Sequence, residues 1–345
     1  MNLKRFVTLV ALVGLIVASV YGYRMYTNAF SNNVENWGES EFLYIPANSS
    51  YLEVRKIIEP YLKDMASFDE MAEQSKYAGN VISGRFRIKN GMSNYDLIQA
   101  LRRNVPVRLT FNNQERLENL VSRMSSQIEP DSISLMESFT DPEFLKESGF
   151  TPETVLACFL PNTYEFYWDV NPLKVRNTLH KEYLRFWNGA RREKAEALGL
   201  TPVEVAILAS IVQKETSKND EKAAVAGVYL NRLKIGMPLQ ADPTVVFAKK
   251  LYTNDFDQVI KRVYHKDLDI PSPYNTYRNV GLPPGLIFMP DVSSIDAVLD
   301  AEKHEYLYFC ASVDRMGYHE FAASLAQHNV NSQRYQKWLN SQGIQ

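Results

Sequence analysis

From Phe6 to Tyr23 the chain runs eighteen residues without a charged side chain. An α-helix rises about 1.5 Å per residue, so this run spans roughly 27 Å, close to the ~30 Å hydrocarbon core of a bilayer. Lys4 and Arg5 precede it, and Tyr21, Tyr23, Arg24 and Tyr26 follow in the manner of an interfacial belt. Three readings compete: an uncleaved membrane anchor, a cleaved signal peptide and a buried helix. The want of a clean Ala-x-Ala site favours the anchor. Lys4, Arg5 and the amino terminus outweigh the lone Arg24, so residues 1–5 are expected as a cytoplasmic tail and 6–23 as a transmembrane helix. The remainder then lies beyond the cytoplasmic membrane. No cysteine follows the apolar run, which excludes a lipoprotein anchor.

Past this segment the composition is that of a globular protein. Phe (17) and Tyr (20) are too many for a disordered chain, and 38 basic against 40 acidic residues give no bulk attraction to nucleic acid. Two cysteines exclude a disulfide-built scaffold. Cys158 and Cys310 form either one bridge or two small buried hydrophobes, the second being favoured because Ala157–Leu160 and Tyr306–Ala311 read as apolar strands. The length allows about two domains.

Residues 24–40 are expected as a linker, polar and without periodicity from Ala29. Two strand–turn–helix segments then echo one another. In the first, Phe42–Ile45 is followed by a Pro46 turn and Ser50 as N-cap. In the second, Phe86–Ile88 is followed by Asn90-Gly91 and Ser93. A looser unit runs from Val107–Phe111 to a helix through Leu117, Leu120 and Met124. These make an α+β fold class, with a small module over 41–112 and a larger mixed helical and β domain over 113–345. The larger domain carries helices over Pro172–Trp187, Pro202–Thr216 and Asp220–Lys234, a Pro/Gly-rich loop between Pro271 and Pro290, a strand–turn–strand from Tyr306, and a closing helix from about Asn329.

Glu215 stands out within that domain. On a helix begun at Pro202 it falls four residues after Ile211 and three after Val212, which puts it on the apolar side, away from Gln213 and Lys214. Desolvation there raises a carboxyl pKa, as a general acid requires. The plainer reading is a buried glutamate bonded at a helix end or paired with Arg232. Gln240, Asp242 and Thr244 alternate with turn formers and can face a cleft, or Asp242 or Thr244 can cap the next helix. Tyr274, Asn275 and Tyr277 offer the stacking faces and amide bonds of a sugar-binding surface, or the tyrosines pack on the core. His319, His328 and Asn329 have no metal-ligand spacing, and neither a phosphate loop nor a Gly-x-Ser-x-Gly elbow is present.

Taken in order, four blocks carry a resemblance: Leu208–Thr216, Asn231–Thr244, Tyr274–Gly285, and the tail Leu307–Phe309 through His319, Phe321 and His328-Asn329. The chain resembles the YceG-like endolytic murein transglycosylases, the MltG family. The resemblance is dense from about 202 to 330. It implies a membrane anchor, a LysM-like module over 41–112 and a catalytic domain over 113–345. It also implies a lyase that cuts peptidoglycan glycan strands without a metal or cofactor, with cell-wall synthases (penicillin-binding proteins) as partners. Glu215 takes the place of the family's essential acid, first protonating the glycosidic oxygen and then acting as base. Gln240, Asp242, Thr244, Tyr274, Asn275 and Tyr277 would hold the sugar, and His319, His328 and Asn329 would orient it or the loop. Two other classes stand beside this one: a non-catalytic wall-binding scaffold, and a hydrolysing muramidase with Asp242 as second carboxylate. The chain departs from the family pattern at Gln213, which is expected to face away without consequence. It departs again at Leu156-Ala157, where the family commonly has a Glu-Gly pair, and at Asn162, which cannot replace the family's aspartate as a base.

Overall fold

The computed structural model describes residues 3–38 and 41–342. Helix α1 (Leu3–Phe30) is long and apolar enough to cross a membrane, and its apolar stretch is not buried against protein. It is not a buried core helix. Met1, Asn2, Glu39 and Ser40, at the edges of the expected tail and linker, lie outside the described residues.

The helix extends past the expected end at Tyr23. Its last turns hold to the following module through Arg24–Glu70 (3.2 Å) and Asn28 Nδ2 to Glu70 Oε2 (2.7 Å). Asn94 Nδ2 donates to the Asn28 carbonyl (2.7 Å), and Asn33 Nδ2 donates to Asn94 Oδ1 (2.6 Å). Val34 and Trp37 are buried. The polar stretch that reads as a linker is therefore built into the fold, because its asparagines bond inward.

The chain forms two compact units. The first comprises Met1–Leu109, Ser126–Pro130 and Tyr164–Asn171. Strand β1 (Phe42–Ile45) pairs antiparallel with β2 (Gly84–Arg87), with α2 (Tyr51–Ile58), α3 (Met65–Gln74) and α4 (Asn94–Leu101) around them. Helices α2 and α4 start at the expected serines, and each start is a full capping box, Ser50 with Glu53 and Ser93 with Asp96. A cap of this kind is worth about 1 kcal/mol. Leu43, Ile45, Phe68, Phe86, Leu97 and Leu101 fill the core between sheet and helices.

The second unit comprises Thr110–Ser125, Asp131–Thr163 and Pro172–Gln345. Strand β3 (Val107–Phe111) pairs with β4 (Asn162–Phe166). Short helices α5 (Leu117–Ser125), α6 (Ser132–Phe139) and α7 (Pro142–Ser148) precede α8 (Pro172–Phe186) and α9 (Gly189–Ala197). The stripe Val175, Leu179, Tyr183 and Trp187 is buried. Helices α10 (Pro202–Glu215), α11 (Lys222–Lys234), α12 (Asp242–Thr253) and α13 (Val292–Leu299) pack together, and α10 touches the other three. Strands β5 (Tyr308–Ala311) and β6 (His319–Ala322) form an antiparallel hairpin against which α14 (Leu325–Ser341) lies.

Two expectations need correction here, the strand at Ala157–Leu160 and the start of the closing helix, while the unbridged cysteines agree with the favoured reading. Residues Val155–Cys158 form a 3-10 turn, not a strand. Cys158 is buried there as a free thiol, pushed well above its usual pKa by burial, and Cys310 is free as well. The closing helix begins at Leu325, so His328 and Asn329 lie within its first turns. Ser324 caps it by accepting from the Gln327 amide.

Candidate active site

Glu215 is the last residue of α10. Thr201 and Glu204 form a capping box at the start, Pro202 sits in the first turn, and Thr216 ends the helix in an extended conformation. Every residue from Val205 to Val212 is buried, since α11, α12 and α13 cover the helix on several sides. Glu215 is half-buried, with part of its surface on a cleft.

Burial, first, raises its pKa from the ordinary 4.5 to about 7. The Asp242 carboxylate nearby pushes the same way. A hydrogen bond from Tyr229 and the charge of Arg232 act against it. A carboxylate at the last turn also meets the negative end of the helix dipole, which favours the neutral acid. Tyr229 Oη donates to Glu215 Oε1 at 2.6 Å, which leaves Oε2 free to carry the proton. Tyr229 is itself buried on α11 and meets the edge of Phe309 (ring centroids 5.8 Å), and Phe309 in turn meets His319 (5.0 Å).

The raised pKa has a consequence for stability. Between about pH 4.5 and 7 the folded protein keeps a proton at Glu215 that the unfolded chain has released, so stability falls as pH rises through that window. Glu215→Gln removes this penalty. Thermal unfolding is expected to show the variant gaining on wild type by up to roughly 3 kcal/mol at pH 8 relative to pH 4.5.

The expected binding residues divide by environment. Asp242 opens α12, is exposed, lines the same cleft as Glu215 and accepts from Tyr277 Oη at 2.7 Å. Thr244 is fully buried and bonds the Ala241 carbonyl (2.7 Å) and the Thr276 hydroxyl (2.8 Å). Asn275 is fully buried too. Its amide donates to the carbonyls of Leu268 (2.8 Å) and Ile270 (3.0 Å), and its Oδ1 accepts from the Tyr277 backbone (3.0 Å). Tyr274 packs on Phe247 (4.8 Å). Thr244, Tyr274 and Asn275 thus shape the loop that aims Tyr277 at Asp242. Gln240 is exposed at φ +48, with its backbone N–H donating to the Thr276 carbonyl (3.1 Å).

Neither His319 nor His328 is among the residues that line this cleft. His319 Nδ1 meets Glu221 Oε2 at 2.9 Å. His328 stacks on Tyr308 (5.3 Å), and burial, with the Arg232 charge, lowers its pKa. Asn329 is exposed. Arg232 is buried, and its guanidinium donates to the carbonyls of Leu239 and Leu307, both at 2.6 Å.

Gln213 does not face away. Its Nε2 donates to Asp291 Oδ2 (2.8 Å), and its Oε1 accepts from the Ser294 hydroxyl and from Lys222 Nζ (3.4 Å). The side of α10 that sequence phase assigns to solvent is covered by α13.

The cleft encloses about 1260 Å³. Its lining includes Lys214 and Glu215, the first turns of α12, residues 256–263 and the later turns of α14. Among the described residues no three His, Cys, Asp or Glu side chains gather as metal ligands. A sequence profile of the YceG-like family matches residues 43–334. The chain belongs to the YceG-like family.

Relatives of the chain carry a functional name. An endolytic murein transglycosylase of Bacillus subtilis (strain 168) is 41% identical over 128 residues, covering 37% of this chain and 33% of the relative. An endolytic murein transglycosylase of Streptococcus pneumoniae serotype 2 (strain D39) is 36% identical over 114 residues, covering 33% of this chain and 20% of the relative. The matches thus span a third or less of those proteins' lengths. The crystal structure of a yceG-like protein from Listeria monocytogenes has TM-score 0.55 and 26% identity, and the comparison covers 84% of this chain and 97% of that one. The sequence pattern does not single out Tyr229. On α11 it looks like one more apolar aromatic, and only the fold brings its hydroxyl to Glu215.

Proposed function

We propose that the protein is an endolytic lytic transglycosylase of peptidoglycan, with Glu215 as general acid and then base. The observation that carries this reading is the Glu215 carboxyl, bonded by Tyr229 at 2.6 Å, at the wall of a cleft of about 1260 Å³, where burial raises its pKa to about 7. Glu215 gives its proton to the oxygen between N-acetylmuramic acid and N-acetylglucosamine, and the muramic C1–O bond breaks. The muramic C6 hydroxyl then attacks C1 and returns its proton to Glu215, which closes a 1,6-anhydro ring. No water enters, so one carboxyl group suffices. Asp242, held by Tyr277, keeps Glu215 protonated and faces the positive charge that develops at C1. The names of the Bacillus and Streptococcus relatives support the substrate class.

The same reading makes α1 a membrane anchor with its N-terminus in the cytoplasm and the remainder beside the wall. Residues 41–112 then serve as a LysM-like glycan-binding module, and wall synthases are the partners.

Digestion of purified sacculi, read by mass spectrometry, tests the function. Anhydro-muramic ends from wild type and none from Glu215→Gln are expected. Reducing ends instead indicate hydrolysis, and binding without cleavage indicates a scaffold. The rate is expected to fall above about pH 7 as Glu215 loses its proton. Tyr229→Phe removes a bond that stabilises the carboxylate, so that alkaline limb moves to higher pH.

A further inference from the structure

We propose that the cleft-facing side of α14, formed by Tyr335, Gln336, Leu339 and Asn340, is an outer saccharide subsite. It would hold an N-acetylhexosamine unit of the glycan some way along the strand from the bond at Glu215. The inference rests on the reading of Glu215 given above, and it adds a wall that reading does not use.

These residues fall at i, i+1, i+4 and i+5 of one helix, so they share a face, and all of them line the cleft that holds Glu215. The cleft's 1260 Å³ exceeds the ~300–1,000 Å³ of pockets that enclose a drug-sized ligand, so a disaccharide leaves much of it unfilled. The helix is held down by other residues. Arg334 pairs with Glu320 (2.8 Å) and with Asp314, and His328 stacks on Tyr308. The cleft face therefore remains available.

Its chemistry suits a neutral sugar. The Tyr335 ring is set by stacking on Trp338, with centroids 5.8 Å apart and planes 23° apart. It presents an apolar face with a polar edge, as pyranose C–H faces and hydroxyls require. Gln336 and Asn340 are exposed amides, each with two N–H donors and a carbonyl acceptor for hydroxyl and acetamido groups. The face carries no charge, which favours the sugar backbone over the carboxylates of a peptide. The family profile ends at residue 334, so this face lies outside the stretch by which the family is recognised.

The test uses the full chain in detergent, in the Glu215→Gln background, with the N-acetylglucosamine dimer and hexamer as probes in titration calorimetry. Tyr335→Ala is expected to weaken hexamer binding about 3–10-fold, the range of one aromatic contact, and to leave the dimer unchanged. The surface double variant Gln336→Ala/Asn340→Ala, which removes no buried group, is expected to do the same. Equal hexamer affinity in parent and variants overturns the subsite, as does a parent that binds the hexamer no better than the dimer. Cleavage of sacculi by wild type, measured separately, decides the Glu215 reading whatever α14 does.

Discussion

Glu215→Gln is expected to lower the rate of glycan cleavage by about 10²–10⁴-fold, the range that a positioned general acid supplies. The substitution keeps the shape of the side chain. The amide carbonyl still accepts from Tyr229 Oη where Oε1 does now, at 2.6 Å, so the end of α10 is not released. What disappears is the proton and the group that takes it back. Strand binding should persist, so affinity for glycan stays near wild type while turnover is lost. Glu215→Asp is a stricter comparison. It retains an acid but withdraws it by one methylene from Tyr229 and from the glycosidic oxygen, and its rate should also fall steeply. Single-turnover digestion with affinity measured in parallel separates the two effects. Loss of binding together with turnover would show a structural role instead.

The second large effect concerns stability. Arg232 is buried, and its guanidinium bonds the carbonyls of Leu239 and Leu307 at 2.6 Å each. One carbonyl leads into the Asp242 turn and the other into β5, so the side chain ties both to α11. Arg232→Met fills similar space and donates nothing. The buried Leu239 carbonyl and the part-buried Leu307 carbonyl lose their donor, at roughly 1–3 kcal/mol for a buried group and less for the other, which predicts a loss of about 2–4 kcal/mol. At about 2–4 °C per kcal/mol for a domain of this size, calorimetry should show a midpoint lower by about 5 °C or more. The Arg232 charge also lowers the Glu215 pKa, so any residual activity of the variant should persist to higher pH.

Local signals were the most legible part of the fold. Ser50 and Ser93 predict helix starts because a hydroxyl before an apolar run satisfies free backbone amides, and both form capping boxes. The stripe through Val175, Leu179 and Tyr183 predicts α8 because one face of it meets the core. Helix α10 is less straightforward. Its phase points Glu215 inward, yet the helix is buried on nearly all sides, and the face assigned to solvent holds Gln213 in a network with Asp291, Ser294 and Lys222. Periodicity cannot register a second helix covering the polar side.

The loop residues show the same limit. Tyr274, Asn275 and Tyr277 read alike in sequence, but the turn buries the first two and leaves Tyr277 to reach Asp242. Composition distinguishes none of them, because the difference lies in which backbone carbonyls each side chain finds. The polar stretch after α1 misled for a related reason: Asn33 bonds into the fold, and an asparagine carries no mark of its partner.

Digestion of sacculi in ¹⁸O-labelled water tests the central claim most directly. If Glu215 takes the proton of the muramic C6 hydroxyl as that oxygen attacks C1, the new muramic ends are anhydro rings that contain no solvent oxygen, and their mass is the same in either water. Muramic ends heavier by the label would show that water attacked C1, and would contradict the account.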